Sequence, residues 1–492
     1  MLSNVGGTLP SMYIAHNVHE RPRATANSVT SIDVLDDDPL INIFRLYRPD
    51  LLDEEETNDI RILQGGEWCR ESWWYKLVHV CRRWRSLIFA SASHLGLSLL
   101  CTYRTPVADM LAHSPPLPLV IDYADWSQNL TLSPVDKEGI KLALRHRNRV
   151  RRIRLAIVIE TCATLIDPID KEFPILEDLY IDPFVYCNGC LKLPETFRAP
   201  NLRHLFLSNF ALPVGSSLLA TATGLVTFWL KYIPTSWHPA DFLHHVSSMH
   251  HLQTLGISAP SNDYDGRRVV NTPDVTHVVL PNLRWLEFQG GPGGSTYIEA
   301  LLPHMSTPRL EKLTISFLNE RTASIPNLRQ FISSAENLRF TSASLRSDRT
   351  RFDLKAYPCN GSGMYALSIV AYCHCYDWPL SSTMKMLGIL GPHLSMVMLL
   401  SVESCSGYAR AEYRDILRSF NNVKTLRVNG GLIRDISHAL KVCDGESTMG
   451  LLPELKEVIC SASVDEDDLF DSFSALIDAR EHAGHPVTLI TR

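Results

Sequence analysis

The sequence predicts an α/β fold: a small helical unit at the N-terminus, then a repeat solenoid with a parallel concave sheet and helices or loops on its convex side. Three observations predict it. One short apolar phrase returns many times from Val150 onward, two short amphipathic helical patterns precede it, and the overall composition is that of a folded chain. Of the 492 residues 45% are hydrophobic and 20% charged, the balance of a globular protein rather than a disordered one. No apolar run approaches the roughly 20 residues of a membrane span, and the N-terminus has no compact apolar segment of the secretory kind.

Residues 1–30 are polar and without periodicity, and are expected to be disordered. "DDDPLINIF" opens a helix: Asp38 is placed to cap it, Pro39 suits its first turn, and Leu40, Ile43 and Phe44 share a face. An acidic run and a Gly-Gly pair then mark residues 48–72 as an inserted loop. Helical spacing resumes at Leu77, Val80, Cys81, Trp84 and Ile88, with Arg82, Arg83 and Arg85 mostly off that stripe. Residues 101–149 read as a linker or first capping unit, in which the prolines of "SPPLPLVIDY" favour an extended strand.

From Val150 the phrase is apolar, two residues, apolar, one residue, apolar. It starts at Val150, Leu176, Leu202, Leu225, Leu252, Leu283 and Leu310, with weaker copies at Leu338, Met364, Leu394, Val423 and Leu455, so twelve copies recur at intervals of 23–32 residues. A period of this length built on LxxLxL marks a leucine-rich repeat solenoid over residues 150–492. The end of each phrase is a short strand whose apolar members point inward, and one unit alone cannot bury them. Stacking the units does, which lays the strands side by side in a parallel sheet. The residues between the second and third apolar places then face outward: Arg154, Tyr180, Phe206, Trp229, Gly256, Glu287, Thr314, Ser342, Ser368, Met398, Arg427 and Ile459, with Trp285 on a neighbouring column. Exposed aromatic side chains on a rigid sheet are good anchors, so Tyr180, Phe206, Trp229 and Trp285 are the candidate target-binding residues. "DEDDLFDSFSALIDAREHAGHP" reads as a C-terminal helix ended by Gly484, and "VTLI" after it as a strand closing the sheet.

The helical pair followed by repeats resembles the F-box proteins with leucine-rich repeats, particularly the large sets found in mushroom-type (basidiomycete) fungi. Two stretches carry the resemblance: "DPLINIF", which matches the first F-box helix, and "LVHVCRRWRSLIFAS", with its Val-Cys-Arg-x-Trp-Arg core. The F-box would cover about residues 31–100. The chain departs from the family where the usual Leu-Pro opening is Asp38-Pro39-Leu40, and in the segment inserted between the helices. The resemblance implies the substrate-recognition subunit of an SCF-type cullin-RING ubiquitin ligase. In that family the F-box docks on a Skp-type adaptor, and through it on a cullin scaffold, while the repeats hold the target protein. Carried over by position, the adaptor-facing residues are Pro39, Leu40, Ile43, Phe44, Leu77, Val80, Cys81 and Trp84. The residues read by themselves agree, because two short helices this rich in Trp and Leu carry surplus apolar surface. Two alternatives stand beside this one: a repeat scaffold acting outside any ligase, its front helices merely capping the first repeat, and a hydrolase hidden in the divergent middle repeats.

Other signals point away from chemistry. The six arginines between Arg145 and Arg154 lack interleaved aromatics, and the formal charge of −6 argues against nucleic acid as a partner. Cys187 and Cys190 have C-x-x-C spacing, but the other candidate ligands around His374 lie many repeats away, and zinc needs four that converge. "GGPGGST" lacks the lysine of a phosphate loop. No catalytic motif stands out. The expectation is a non-catalytic protein without metal or cofactor, not associated with membranes, and cytoplasmic or nuclear, its twelve scattered cysteines reduced.

Overall fold

The computed structural model describes residues 35–48, 72–124, 132–166, 169–183, 190–213, 215–231, 237–259, 277–320, 324–348, 350–358, 363–373, 380–405, 410–441, 449–460 and 466–491. The expected disordered N-terminus and nearly all of the inserted loop lie outside them. The described residues fall into two compact units, one within residues 1–53 and 73–96, the other within 54–72 and 97–492.

The first unit is helical: α1 Asp37–Tyr47, α2 Tyr75–Val78 and α3 Arg82–Ala90. Helix α1 starts one residue before Asp38. Its N-cap is Asp36, whose side chain makes no capping bond, so Asp38 is not the cap; it joins Asp37 in an acidic first turn that suits the helix dipole. The second helical stripe is not one helix. It breaks after Val78, and Cys81 takes an extended conformation (φ −156°, ψ 170°), its Sγ accepting the Trp84 amide as the N-cap of α3. Leu77 and Ile88 are therefore buried on separate helices, while Val80 and Cys81 sit in the exposed break. Arg83, off the stripe by pattern, links the helices: its guanidinium donates to Asp37 Oδ1 at 2.9 and 3.2 Å and to the Leu35 carbonyl.

The second unit carries 20 short strands. In chain order they are β1 Leu99–Cys101, β2 Leu119–Ala124, β3 Val150–Ala156, β4 Asp178–Ile181, β5 Leu191–Lys192, β6 His204–Ser208, β7 Phe210–Ala211, β8 Thr227–Lys231, β9 Thr254–Ser258 and β10 Val278–Val279. There follow β11 Trp285–Gly290, β12 Met305–Ser306, β13 Lys312–Leu318, β14 Ser342–Ser347, β15 Arg351–Tyr357, β16 Leu367–Tyr372, β17 Leu399–Cys405, β18 Thr425–Val428, β19 Glu457–Cys460 and β20 Thr488–Thr491. Sixteen of them form one sheet in the order β1-β2-β3-β4-β6-β8-β9-β11-β13-β16-β15-β14-β17-β18-β19-β20, and β5–β7 and β10–β12 form two small parallel pairs. The architecture is α/β, dominated by a large, mostly parallel sheet with helices in the intervening segments.

The sheet differs from the expected one in three places. It begins at Leu99 rather than Val150: β1 and β2, inside the stretch read as linker, pair in parallel with each other and with β3. It is not wholly parallel, because β14, β15 and β16 form an antiparallel meander that enters the sheet in reverse, β16 beside β13 and β14 beside β17. Strand β15 has no LxxLxL phrase, yet Phe352, Leu354 and Ala356 alternate inward along it, the two-residue period of any half-buried strand. Finally, the copies at Leu338 and Leu394 mark strands that start later, at Ser342 and Leu399.

The phrase itself works as stacking requires. Its first apolar residue is fully buried at Leu202, Leu225, Leu252, Leu283, Leu310 and Val423. Its second residue extends the ladder below the strand: the amides of Arg203, Val226, Gln253, Arg284 and Glu311 each donate, at 2.8 Å, to the carbonyl of the equivalent residue one repeat earlier. The asparagines just before the phrase join neighbouring repeats, since Asn201, Asn282 and Asn422 donate to the carbonyls of Pro174, His250 and Ser395. At the far end the helix Glu466–His482 closes at Gly484 (φ +79°), and β20 pairs in parallel with β19.

Candidate functional site

Every strand of the sheet buries one set of side chains with the helices and turns the other set outward. Register links the outward set into a continuous column: Asp122, Arg154, Tyr180, Phe206, Trp229, Gly256, Glu287, Thr314, Ser368, Lys355, Ser344, Ser401, Arg427, Ile459. The sequence-derived column holds at ten of its twelve positions. Ser344 replaces Ser342, which faces outward one place along, and Ser401 replaces Met398, which precedes its strand.

Tyr180, Phe206, Trp229 and Trp285 do lie on the outward face, but they are not exposed anchors. They are 4%, 3%, 5% and 5% accessible and form one buried cluster with Ala124 and Ala156. A ring is wider than the roughly 4.8 Å between strands, so each leans over its neighbour. Tyr180 stacks on Phe206 with centroids 4.2 Å apart, and Trp229 meets Trp285 edge to face at 5.7 Å. Gly256 makes the second contact possible. A Cβ there would lie 1.9 Å from Trp229 Cε3, so only glycine lets the indole cross β9. Cations lie across the rings: Arg154 over Tyr180 at 5.8 Å, Lys231 over Phe206 at 5.0 Å and Lys312 over Trp285 at 3.9 Å. Tyr180 Oη donates to Asp182 Oδ2 at 3.1 Å; burial first, and the Asp182 carboxylate second, push the phenol above its ordinary range.

Beyond Trp285 the same face turns polar. Trp285, Lys312, Thr314, Arg351, Lys355 and Tyr372 are among the walls of a hollow of about 340 Å³ between β11, β13, β16 and β15. Asp353, 5% accessible, stands in it with one oxygen engaged by Arg351 and by Lys355 at 3.5 Å. Arg351 also lies over the Tyr372 ring at 4.7 Å. Four buried polar atoms of this hollow have no hydrogen-bond partner among the described residues: Trp285 Nε1, Thr314 Oγ1, Arg351 Nε and Asp353 Oδ1. The sequence reading named Trp285 and Thr314 but missed β15 with Arg351, Asp353 and Lys355; the signal was its charged–apolar alternation.

In the helical unit the eight residues carried over from the F-box resemblance divide. Leu40, Phe44 and Leu77 are buried, and Trp84 is half-buried with its ring edge to face against Phe44 at 4.8 Å. Pro39, Ile43, Val80 and Cys81 are exposed. Two further apolar side chains lie on the face of Ile43, Leu46 at 86% and Tyr47 at 53% accessible. Their spacing of three and four from Ile43 was readable but unused.

The arginine strip is spent within the fold. Arg149 donates to the Leu117 and Pro115 carbonyls, Arg151 pairs with Glu177, Arg152 with Asp178, and Arg154 with Asp122 at 3.5 Å. Burial raises the thiol of Cys101 to about 12, against a smaller opposing pull from Arg149, and that of Cys162 to about 12; these are core residues, not nucleophiles. Among the described residues no group of His, Cys, Asp and Glu is placed to hold a metal ion, and no helix is long and apolar enough to cross a membrane. Cys187 and His374 lie outside the described residues. No protein-family model matches the chain, and no curated protein sequence does.

Proposed function

We propose that the protein is the substrate-recognition subunit of an SCF-type ubiquitin ligase: an F-box that docks on a Skp-type adaptor, followed by a leucine-rich repeat solenoid that binds the target. One observation carries the reading. The helical unit leaves Ile43, Leu46, Tyr47 and Val80 exposed beside the Val-Cys-Arg-x-Trp-Arg core, whereas Leu40, Phe44 and Leu77 are occupied inside it. Apolar surface of this kind, on helices whose inner face is already filled, suits a partner interface. The sheet unit, with a continuous core of its own, is free to supply recognition.

The adaptor-facing set is accordingly Pro39, Ile43, Leu46, Val80 and Cys81, with Trp84 at its edge and Leu40, Phe44 and Leu77 beneath it. Co-purification with a Skp-type adaptor tests this. Ile43→Asp with Val80→Asp should abolish capture and leave the folded signal intact, because both positions are exposed. Capture that survives the pair, or a wild-type chain that binds no such adaptor, favours a repeat scaffold outside any ligase.

A further inference from the structure

The polar hollow on the outward face has the features of an unfilled recognition site. Buried polar groups in folded proteins are almost always hydrogen-bonded, and each exception calls for a cause. Here four exceptions share one concavity: Trp285 Nε1 and Arg351 Nε can only donate, Thr314 Oγ1 can do either, and Asp353 Oδ1 accepts. Thr314 and Asp353 are 7% and 5% accessible, so bulk water does not serve them freely. The charged lining carries three cations, Lys312, Arg351 and Lys355, against two carboxylates, Glu287 and Asp353. The hollow, about 340 Å³, is at the small end of ligand sites, roughly 300–1,000 Å³. It suits one side chain of a larger ligand.

We propose that this hollow binds an anionic, oxygen-bearing side chain of a peptide segment, a carboxylate or a phosphate. The surplus of donors calls for an acceptor-rich group. The Lys355 ammonium and the Arg351 guanidinium supply the counter-charge, and the Trp285 indole N–H and Thr314 hydroxyl supply direction. The lone acceptor, Asp353 Oδ1, argues for a peptide over a free anion. A peptide brings main-chain N–H groups along with its acidic side chain, and one of these satisfies the carboxylate oxygen that an anion alone would repel. The aromatic cluster next to it, closed on itself, forms one wall through Trp285. The proposal deepens the receptor reading and rests on it only in calling the bound peptide a target.

The test uses the full chain without any adaptor, so its outcome is independent of whether the helical unit docks. Three peptide libraries, degenerate at flanking positions and fixed at the centre as phosphoserine, glutamate or glutamine, are passed over the immobilised protein. The phosphoserine or glutamate library should be retained about tenfold or more over the glutamine one, as a charged hydrogen-bond acceptor implies. Retention of phosphoserine alone assigns the phosphate, and equal retention of glutamate assigns the carboxylate. The preference should collapse in Lys355→Gln and in Thr314→Val, which removes the hydroxyl at nearly constant volume, and persist in Lys355→Arg. Equal retention of all three libraries by the wild-type chain, or a preference unmoved by both disabling variants, overturns the proposal.

Discussion

Two stretches of one sheet face, built from the same column of outward positions, do opposite things. From β4 to β9 the column is Tyr180, Phe206, Trp229 and Gly256. Its rings fill the space over the strands, and β9 is buried along both faces. From β13 to β15 it is Thr314, Ser368 and Lys355, with buried polar atoms that nothing among the described residues satisfies. The first stretch has the two-sided burial usual for parallel sheets. The second includes the antiparallel meander, where a parallel sheet is interrupted and charged side chains can stand on one face. An aromatic row is therefore not by itself a binding surface: large rings at 4.8 Å spacing satisfy one another first. A short polar row beside them cannot.

The comparison breaks most visibly at Gly256. Gly256→Ala sets a methyl against the Trp229 indole and should cost about 3–5 kcal/mol, the range for losing a buried tryptophan, read by denaturant unfolding. In a Trp229→Ala background the same change should be nearly neutral, since the methyl then has room. Additive losses would mean that the indole does not cross β9. At the edge of the aromatic stretch, Tyr180→Phe removes the bond to Asp182 and should cost about 1.5 kcal/mol, with Phe206 stacking unchanged. A loss near zero would show that the phenol is solvated and the row more open than described.

The smallest effect concerns pH and sharpens the contrast from the polar side. Glu320, just past β13, is buried and accepts from the Ser295 amide at 3.0 Å and from its hydroxyl. Burial raises its carboxyl above the ordinary 4.5, and the Ser295 bonds only partly oppose this. The folded chain then holds a proton that the unfolded chain has lost, so stability falls as pH rises from 4.5 through the raised folded value and is level above it. Glu320→Gln should flatten that slope in urea midpoints followed from about pH 5 to pH 8. A slope unchanged by the substitution would place the titrating group elsewhere.

Much of this was legible in the residues. The phrase starting at Leu202, Leu225, Leu252, Leu283 and Leu310 located its strands, because burying three apolar side chains per repeat leaves one way to stack, and the outward column followed from the two-residue period. The helix before Gly484 and the strand after it were readable for the same local reasons. Strand β15 was missed because its alternation is common to all half-buried strands and nothing near it in sequence names its neighbours. The single stripe from Leu77 to Ile88 failed because helical spacing continues across a break that Cys81 caps.

What the sequence determined alone is which side chains turn inward and which outward, since that depends only on backbone period and the cost of leaving apolar groups in water. Whether an outward side chain is open, covered or left without a partner was decided by the fold. Closure of the aromatic row depends on Gly256 lying under Trp229, and the polar hollow depends on β15 arriving between β14 and β16. Both are contacts between residues of different strands, fixed by register and strand order, which no single stretch of the chain contains.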